Sequence, residues 1–379
     1  MKYVMLKDVC AINMGQSPDS DSYNNNGEGV PFFQGNADFG ERYPVVRKWC
    51  SAPTKMAAPE DILISVRAPI GAMNYAKEEC CIGRGLAALT PDRTKVSPEF
   101  LFWLLKEKNT ELNSKGTGST FKAIGKKVLE ETMIPNIPIE KQLEYSEALE
   151  KVHAIIQVRK KEIQHLDDLI KARFVEMFGD PVDNQMGWKK KQLQEIVTDD
   201  CTISYGIVQT GDNQKEGIPV IRPVDIVNRV PKLKELKKTT EEISNKYKKT
   251  ILKGREMLIT VRANIADTCV VDEKFKGCNV GRGIVPIRTK ENIMILEFLK
   301  HLMDSKHLND DIKNKAKGIT LIQLNMEDLR EVELIIPPIE QQKLFVEFAN
   351  QVNKSKVVVQ KALDETQILF NSLMQQYFG

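Results

Sequence analysis

The chain has 379 residues and a formal net charge of +3, with 41% hydrophobic and 28% charged residues. This length provides for two or three domains with cores of their own. The balanced charge excludes a generally basic body, so any surface for nucleic acid has to be local. No apolar run approaches the roughly 20 residues that span a bilayer, and the N-terminus lacks the apolar stretch of a signal peptide. We therefore expect a cytoplasmic protein without a membrane partner.

The first part of the chain, residues 1–138, has the pattern of a mixed domain. Asp61–Val66 is rich in Ile and Leu and predicts a strand. Pro98–Lys108 has helical spacing, and turn residues cluster at Ser20–Gly29 and at 68–71. An α+β domain with loops between short strands follows from this pattern.

Residues 139–179 predict one long helix, because no proline or glycine interrupts the chain from Glu140 to Phe178. At about 1.5 Å per residue this rod would be roughly 58 Å long. Apolar residues recur at heptad spacing, which predicts a seam for a partner helix. The seam positions are Leu149, Val152, Ile156, Arg159, Ile163, Leu166, Ile170, Arg173 and Met177.

The rest of the chain repeats this plan, with a mixed domain over 180–338 and a second long helix over 339–379. Strands are predicted at Ile218–Val227 and Val332–Ile336, and a helix at Ile295–Ser305. The second seam has the same register as the first. Its positions are Ala349, Val352, Lys356, Val359, Leu363, Thr366, Phe370, Leu373 and Tyr377.

The two parts are copies of one another, which indicates an internal duplication. The matched segments are 139–142 with 339–342, 178–179 with 378–379, 61–67 with 256–262, and 83–85 with 281–283. Because each seam needs a partner, we predict that the two helices pair as an antiparallel coiled coil with pseudo-twofold symmetry. The alternative is that each helix packs on its own domain.

The sequence offers no catalytic signature. Gly116–Lys127 resembles a phosphate-binding loop but lacks its glycine spacing. The four histidines have no metal spacing, and the seven cysteines lack C-x-x-C spacing, which indicates reduced thiols. We find no nucleophile elbow and no paired-carboxylate nuclease motif. We therefore expect no enzymatic activity and no metal in this chain.

The segment before each long helix carries a family resemblance. It contains Gly118-Ser119-Thr120-Phe121 and Ile137-Pro138-Ile139-Glu140-Lys141-Gln142, and the second copy contains Gly318-Ile319-Thr320-Leu321 and Ile336-Pro337-Pro338-Ile339-Glu340-Gln341-Gln342. These segments closely resemble the specificity subunit of type I restriction-modification systems. The resemblance covers the whole chain, including the order domain, helix, domain, helix.

The resemblance implies two target-recognition domains, 1–138 and 180–338, and two conserved spacer helices, 139–179 and 339–379. It also implies a non-catalytic subunit, in which each domain reads one half of a bipartite site on double-stranded DNA and the helix pair sets the spacing. Because the domains share little beyond framework positions, we expect an asymmetric site. Two methylation subunits with S-adenosylmethionine would dock on the repeats, and motor and nuclease subunits with Mg-ATP would join them. No cofactor is expected in this chain.

Two other interpretations stay open at this stage. The chain could be the recognition subunit of a related system whose partner fuses methylation and cleavage. It could also be a bivalent protein scaffold without a DNA role.

Candidate DNA-binding residues are polar side chains on predicted loops, since Arg, Asn and Gln read bases and Lys, Ser and Thr hold phosphate. Arg67 with Arg262 and Arg84 with Arg282 recur at equivalent positions, which suits a shared phosphate contact. An ion pair with Asp61 or Glu256 is the alternative. The candidates are Gln16, Ser17, Gln34, Asn36, Arg67, Arg84 and Lys122 in the first domain, and Gln209, Thr210, Arg222, Asp225, Arg262 and Arg282 in the second.

Three further groups of residues each have a functional and a structural interpretation. At matched places the first domain has Gln34 and Asn36, and the second has Arg222 and Asp225. Such a difference is expected of specificity residues, and ordinary surface variation explains it equally well. Thr120 and Thr320 would either cap the segment that follows or contact the DNA backbone. Arg159, Arg173 and Lys356 lie in the seams, where we expect salt bridges between the helices or snorkelling side chains rather than DNA contacts.

Overall fold

The computed structural model describes residues 2–118, 122–226, 231–318 and 322–379. The chain forms two compact units, and each contains half of both long helices. Unit 1 consists of Met1–Lys161 with Gln360–Gly379, and unit 2 consists of Glu162–Val359. Both units mix short strands and helices, which confirms the predicted α+β class.

The strands of unit 1 form one two-stranded, one four-stranded and one five-stranded sheet, in the orders β1-β11, β2-β10-β7-β8 and β3-β5-β4-β9-β6. In the five-stranded sheet, β4 runs parallel to β9. The strands are β1 Tyr3–Met5, β2 Cys10–Met14, β3 Tyr23–Asn24, β4 Val30–Phe33, β5 Trp49–Cys50, β6 Met56–Ala57, β7 Ile62–Ser65, β8 Met73–Tyr75, β9 Cys80–Ile82, β10 Leu86–Pro91 and β11 Met133–Pro135.

The helices of unit 1 cover one face of the four-stranded sheet. Ile62 and Ile64 of β7 point into a core shared with the second helix, whereas Leu63 points into a smaller core on the other face. This second helix begins at Pro98, and the Ser97 hydroxyl accepts a hydrogen bond from the Phe100 amide at 3.4 Å. The helices are α1 Leu6–Val9, α2 Pro98–Glu107, α3 Asn109–Ser114, α4 Lys126–Glu130 and the long α5 Ile139–Phe178, whose first half belongs to this unit.

Unit 2 repeats this plan in sheets ordered β12-β19, β14-β13-β17 and β16-β15-β18. The parallel pair returns as β13 with β17, and the central strand returns as β15. The predicted strand Ile218–Val227 is shorter than expected, because a 3-10 turn begins at Pro223. The strands are β12 Lys190–Gln192, β13 Ile218–Ile221, β14 Lys237–Thr239, β15 Glu256–Thr260, β16 Thr268–Val271, β17 Asn279–Val280, β18 Ile284–Ile287 and β19 Glu333–Ile335.

The core of unit 2 again lies between its central sheet and its helices, with Met257 and Ile259 on one face of β15 and Leu258 on the other. The same alternation in both copies explains why their central strands match in sequence. The helices are α6 Leu193–Ile196, α7 Glu241–Asn245, α8 Leu296–Met303, α9 Lys306–Asn314, α10 Met326–Arg330 and the long α11 Ile339–Phe378.

Within each unit, the first half of one long helix packs against the second half of the other. In unit 1, Tyr145 of α5 stacks on Tyr377 of α11 with ring centroids 4.0 Å apart. In unit 2, Phe174 of α5 packs against Phe345 of α11 at 5.4 Å. An early residue of one helix meets a late residue of the other, so the pair is antiparallel as predicted. The structure places the predicted seam residues in buried or half-buried positions.

Each long helix also packs on the domain that precedes it. The structure therefore combines both alternatives, since the two long helices pair with each other and each also packs on its own domain. Gln142 is 2% exposed, and its side chain accepts from the Ser97 amide at 2.9 Å and donates to the carbonyls of Lys95 and Ile137. Gln342 makes the equivalent bonds to 293, 295 and 337. One amide side chain therefore fixes the start of each helix, which explains why this glutamine occurs in both copies.

We predict that Gln342→Leu lowers the free energy of unfolding by about 2–4 kcal/mol, because three buried backbone groups lose their partner. The measurement is the midpoint of urea unfolding followed by far-UV circular dichroism. Gln341→Lys is the control, since it introduces the residue found at position 141 and Gln341 is half-exposed. Equal shifts for both variants would contradict this role of Gln342.

Candidate nucleic-acid interface

In unit 1, candidate residues follow the ends of strands β2, β4 and β7, and these strand ends lie around the turn Gly83-Arg84-Gly85. The Gln16 amide donates to the Ile82 carbonyl at 3.0 Å, and the Gly85 amide donates to the Gln34 carbonyl at 3.2 Å. The Val66 amide donates to the Gly85 carbonyl at 2.9 Å. The ends of β2, β4 and β7 therefore meet at this turn, which we call corner 1.

The side chains at corner 1 form a small polar cluster. The Gln34 amide group donates to the Ser17 hydroxyl at 2.9 Å, and this hydroxyl accepts from the Arg84 backbone amide at 3.4 Å. Gln16, Gln34 and Arg84 are exposed, while Ser17 is half-buried. Corner 1 thus presents hydrogen-bond donors and acceptors together with the exposed guanidinium of Arg84.

Arg67 and Lys122 lie on the segment beside corner 1. Arg67 follows Val66 directly, and the Ala68 amide donates to the Lys122 carbonyl at 3.0 Å. Both side chains are exposed. Asn36 is half-buried and begins the 3-10 turn that follows β4. The candidates of the first domain therefore lie on neighbouring loops of one region.

Unit 2 contains the equivalent turn, Gly281-Arg282-Gly283, which we call corner 2. The Gly281 amide donates to the Ile221 carbonyl, and the Val261 amide donates to the Gly283 carbonyl, both at 2.8 Å. Arg282 is exposed, and its guanidinium lies 5.9 Å from the ring centre of Tyr205. The same backbone arrangement therefore presents an arginine in both units.

The side chains of corner 2 differ from those of corner 1. Arg222 donates to both oxygens of Asp225, with each distance 3.1 Å, so the carboxylate holds the guanidinium in a fork. The hydrogen bond to Asp225 also raises the pKa of Arg222. The position after β4 in corner 1 is the uncharged Gln34. Equivalent backbone sites thus carry different donor and acceptor patterns.

Gln209 and Thr210 do not occupy the positions equivalent to Gln16 and Ser17. The Ile207 amide donates to the Val280 carbonyl, and in corner 1 the Gln16 amide donates to the Ile82 carbonyl. Ile207 is therefore the counterpart of Gln16. Gln209 is exposed, and the Thr210 carbonyl accepts from the Thr239 hydroxyl at 2.8 Å. These candidates lie further along the loop, toward β14.

The predicted ion pairs of the repeated arginines do not form in the described part of the chain. Glu256 is paired with Arg288 at 3.5 Å, and Arg262 instead donates to the Gln323 side chain. Burial raises the pKa of Glu256, although hydrogen bonds from the backbone oppose this shift. Arg67, Arg84 and Arg282 have no carboxylate within ion-pair distance among the residues described. Their guanidinium groups are therefore available to an external anion.

Sequence analysis missed the glycines that make both corners possible. A Cβ on Gly15 would lie 2.2 Å from the Gly83 carbonyl oxygen, and one on Gly206 would lie 2.1 Å from the Val280 carbonyl oxygen. Only glycine allows this close approach of two backbones. The recurrence of glycine at these matched places was the available signal. Thr120 and Thr320 lie outside the described residues.

The residues in the helical seams form contacts between the helices. Arg159 donates to the Thr366 hydroxyl and the Ala362 carbonyl in unit 1. Lys356 donates to both oxygens of Asp167 in unit 2, at 2.6 and 2.7 Å. Arg173 pairs with Glu176 at 2.7 Å on its own helix, and its guanidinium lies 5.8 Å from the ring centre of Phe348 on α11. These contacts agree with the structural interpretation of the three charges.

Across residues 2–118, 122–226, 231–318 and 322–379 we find no group of His, Cys, Asp or Glu side chains arranged to hold a metal ion. In the same residues, no helix is long and apolar enough to cross a membrane. The seven cysteines are buried and unpaired, and burial raises the pKa of Cys10 to about 12.

Comparisons with known proteins agree on one family. The family model described as "Type I restriction modification DNA specificity domain" matches residues 1–167 and 185–365. A putative type I restriction enzyme MjaX specificity subunit of Methanocaldococcus jannaschii is 44% identical over 156 residues, which are 41% of this chain and 37% of that protein. The EcoBI specificity subunit of Escherichia coli is 21% identical over 98% of this chain and 83% of its own length.

Solved structures show the same fold. The S subunit of a type I restriction-modification system from M. genitalium aligns over 100% of this chain and 96% of its own, with a TM-score of 0.61 and 12% identity. A chain from a structure of complex assembly in a type I R-M system aligns with a TM-score of 0.59 and 19% identity.

We predict that Gly15→Ala destabilises unit 1 by about 1–3 kcal/mol, because the new methyl group overlaps backbone atoms that cannot move separately. Differential scanning calorimetry of the full chain measures this effect. Gly35→Ala serves as the control, since a Cβ there meets no atom within 4 Å. An unchanged melting profile for Gly15→Ala would contradict the close approach.

Proposed function

Because the chain belongs to the family of type I restriction modification DNA specificity domains, we propose that it is the non-catalytic recognition subunit of a type I restriction-modification complex in the cytoplasm. Residues 1–138 and 180–338 act as its target-recognition domains, and residues 139–179 and 339–379 as its spacer helices. Each domain reads one half of a bipartite site on double-stranded DNA, and the helix pair sets the spacing. The observation that carries this proposal is the pair of corners, which share a backbone but differ in side chains.

The repeated arginines suit contacts to phosphate, whereas the variable residues suit contacts to bases. Arg84 and Arg282 are exposed and stand on the same turn in both units, so they recognise what both half-sites share. Phosphate contacts position a protein on DNA without reading its sequence. Gln34 is suited to adenine, and the fork of Arg222 and Asp225 presents a different pattern. Different patterns on one framework lead to an asymmetric target.

The long helices carry a second repeated surface, which we assign to the methylation subunits. Val158 and Val358 are 63% and 69% exposed, and Leu169 and Leu369 are 47% and 50% exposed. These residues are equivalent, since 200 positions separate the members of each pair. Val158 and Leu369 belong to unit 1, and Val358 and Leu169 belong to unit 2. Each unit therefore has one member of the valine pair and one member of the leucine pair, which fits two copies of the same partner.

The surface of unit 1 has a cleft beside Val158. A cavity of about 530 Å³ lies there, and Phe102, Trp103, His153 and Val158 are among its lining residues. An apolar side chain of a partner can enter such a cleft. We assign S-adenosylmethionine to the methylation subunits and Mg-ATP to the motor and nuclease subunits of the same complex.

For the DNA proposal, we predict that Arg84→Ala weakens binding of the assembled methylation complex to its site by about tenfold, because one phosphate contact is lost. The slope of log Kd against log salt should fall by about 0.9. Fluorescence anisotropy at several salt concentrations measures both effects, with a duplex chosen by sequencing the methylated bases of the source genome. Gln34→Ala should instead relax the methylated motif in one half only.

Arg93→Ala is the control for this series, because Arg93 is an exposed arginine of the same unit that pairs with Glu60. An equal loss of DNA affinity in Arg93→Ala and Arg84→Ala would contradict a specific role of corner 1 in DNA binding. Failure of the complex to methylate any split motif would favour a protein scaffold without a DNA role.

For the docking surface, we predict that Val158→Asp releases one methylation subunit and that Val158→Asp with Val358→Asp releases both. The reason is that a carboxylate does not tolerate burial without a partner. Mass photometry of the mixed subunits counts the copies bound. Lys171→Asp with Asn371→Asp is the control, because these exposed residues lie about 13 positions further on, roughly on the opposite helix face. Release by the control variant as well would contradict this assignment.

A further inference from the structure

The seams between the two long helices contain polar contacts in both units. In unit 2, the Lys356 ammonium lies 2.6 Å and 2.7 Å from the two oxygens of Asp167. Both side chains are about two-thirds buried, at 32% and 37% exposure. In unit 1, Arg159 donates to the Thr366 hydroxyl and to the Ala362 carbonyl. Each contact joins α5 to α11.

The internal duplication does not repeat these contacts. The counterpart of Lys356 is Ile156, and the counterpart of Asp167 is Gln367. Similarly, Val359 is the counterpart of Arg159, and Leu166 is the counterpart of Thr366. The apolar seam positions follow one pattern in both helices, but the polar positions distinguish α5 from α11.

We propose that the Lys356–Asp167 pair makes each long helix selective for the other helix and against the same helix of a second copy of this chain. In a pair of two α5 helices with the present register, each residue would meet the counterpart of its present partner. Asp167 would then face Ile156, and Arg159 would face Leu166 and Glu162, so the discrimination depends on the Lys356–Asp167 pair. In a pair of two α11 helices, Lys356 would face Gln367.

When two chains exchange partners, pairing of like helices therefore loses the Lys356–Asp167 ion pair. It leaves Asp167 opposite Ile156 and Lys356 opposite Gln367, and neither of these side chains carries a neutralising charge. A half-buried charge without its partner destabilises a helix interface. Single polar residues in an apolar seam are known to fix the register and partner of coiled coils. The apolar seam alone offers less discrimination, since its positions match in both helices.

This inference goes beyond the proposed function and does not depend on DNA binding. It concerns which helix pairs with which, and its test measures only that. If the proposed function also holds, selectivity of this kind keeps two different recognition domains in every complex.

The test uses the full chain with a protease site inserted at Met186, an exposed residue in the segment between α5 and β12. The folded protein is cut, diluted, reconcentrated and analysed by native mass spectrometry, where the two fragments have different masses. Unlike pairs and like pairs are then counted directly. Thermal unfolding of each uncut variant shows that it is folded.

The informative variant is Asp167→Gln with Lys356→Ile, which gives each position the residue of its counterpart. We expect its share of like pairs to rise at least tenfold above that of the unmodified chain. The exchanged pair, Asp167→Lys with Lys356→Asp, should keep unlike pairing. Asp168→Asn with Lys171→Asn is the control, since it removes an exposed ion pair of the same helix and should change nothing.

Three results would overturn the proposal. The first is an equal share of like pairs in the informative variant and the unmodified chain. The second is as many like pairs in the exchanged variant as in the informative one. The third is a complete loss of pairing in the informative variant, since the ion pair would then serve strength rather than selectivity.

Discussion

The hydrophobic core of each unit is closed by the last turn of the long helix that belongs to the other repeat. Phe178 is fully buried in unit 2, where its ring packs 4.9 Å from that of Phe298. Phe378 packs 5.3 Å from Phe100 in unit 1. Neither recognition domain completes its core with its own repeat alone. The antiparallel pairing, the register of the seam and the positions of its polar residues all depend on this exchange of helix ends.

The two corners show how one framework supports different surfaces. Backbone hydrogen bonds and closely approaching glycines fix the turn at 83–85 and its counterpart at 281–283. The arginine at the centre of each turn is held in the same place by this backbone. The backbone hydrogen bonds of these turns do not involve the side chains of Gln34 and Arg222. These side chains can therefore differ between the corners while the backbone framework is kept.

Much of the fold could be predicted from the sequence, because its signals are local or repeated. The long helices begin at Ile139 and Ile339 and end at 178 and 378, as the uninterrupted stretches indicate. Other features depend on contacts between distant segments. The glycines at 15 and 206 are required by strands that approach them from elsewhere in the chain. The partner of Arg159 is fixed by the helix register, which the heptad pattern alone does not specify.

The division of the chain into units also affects the order in which it can fold during synthesis. Unit 2 is one continuous stretch, from 162 to 359, so all of its residues have been made before synthesis reaches 360. Unit 1 begins first, but it also requires residues 360–379. Domains usually fold in the order in which they are made, whereas here the first domain has to wait for the last helix. Until then its aromatic surface around Phe100 and Trp103 lacks its cover, and this is the period when the growing chain is most exposed to misassembly.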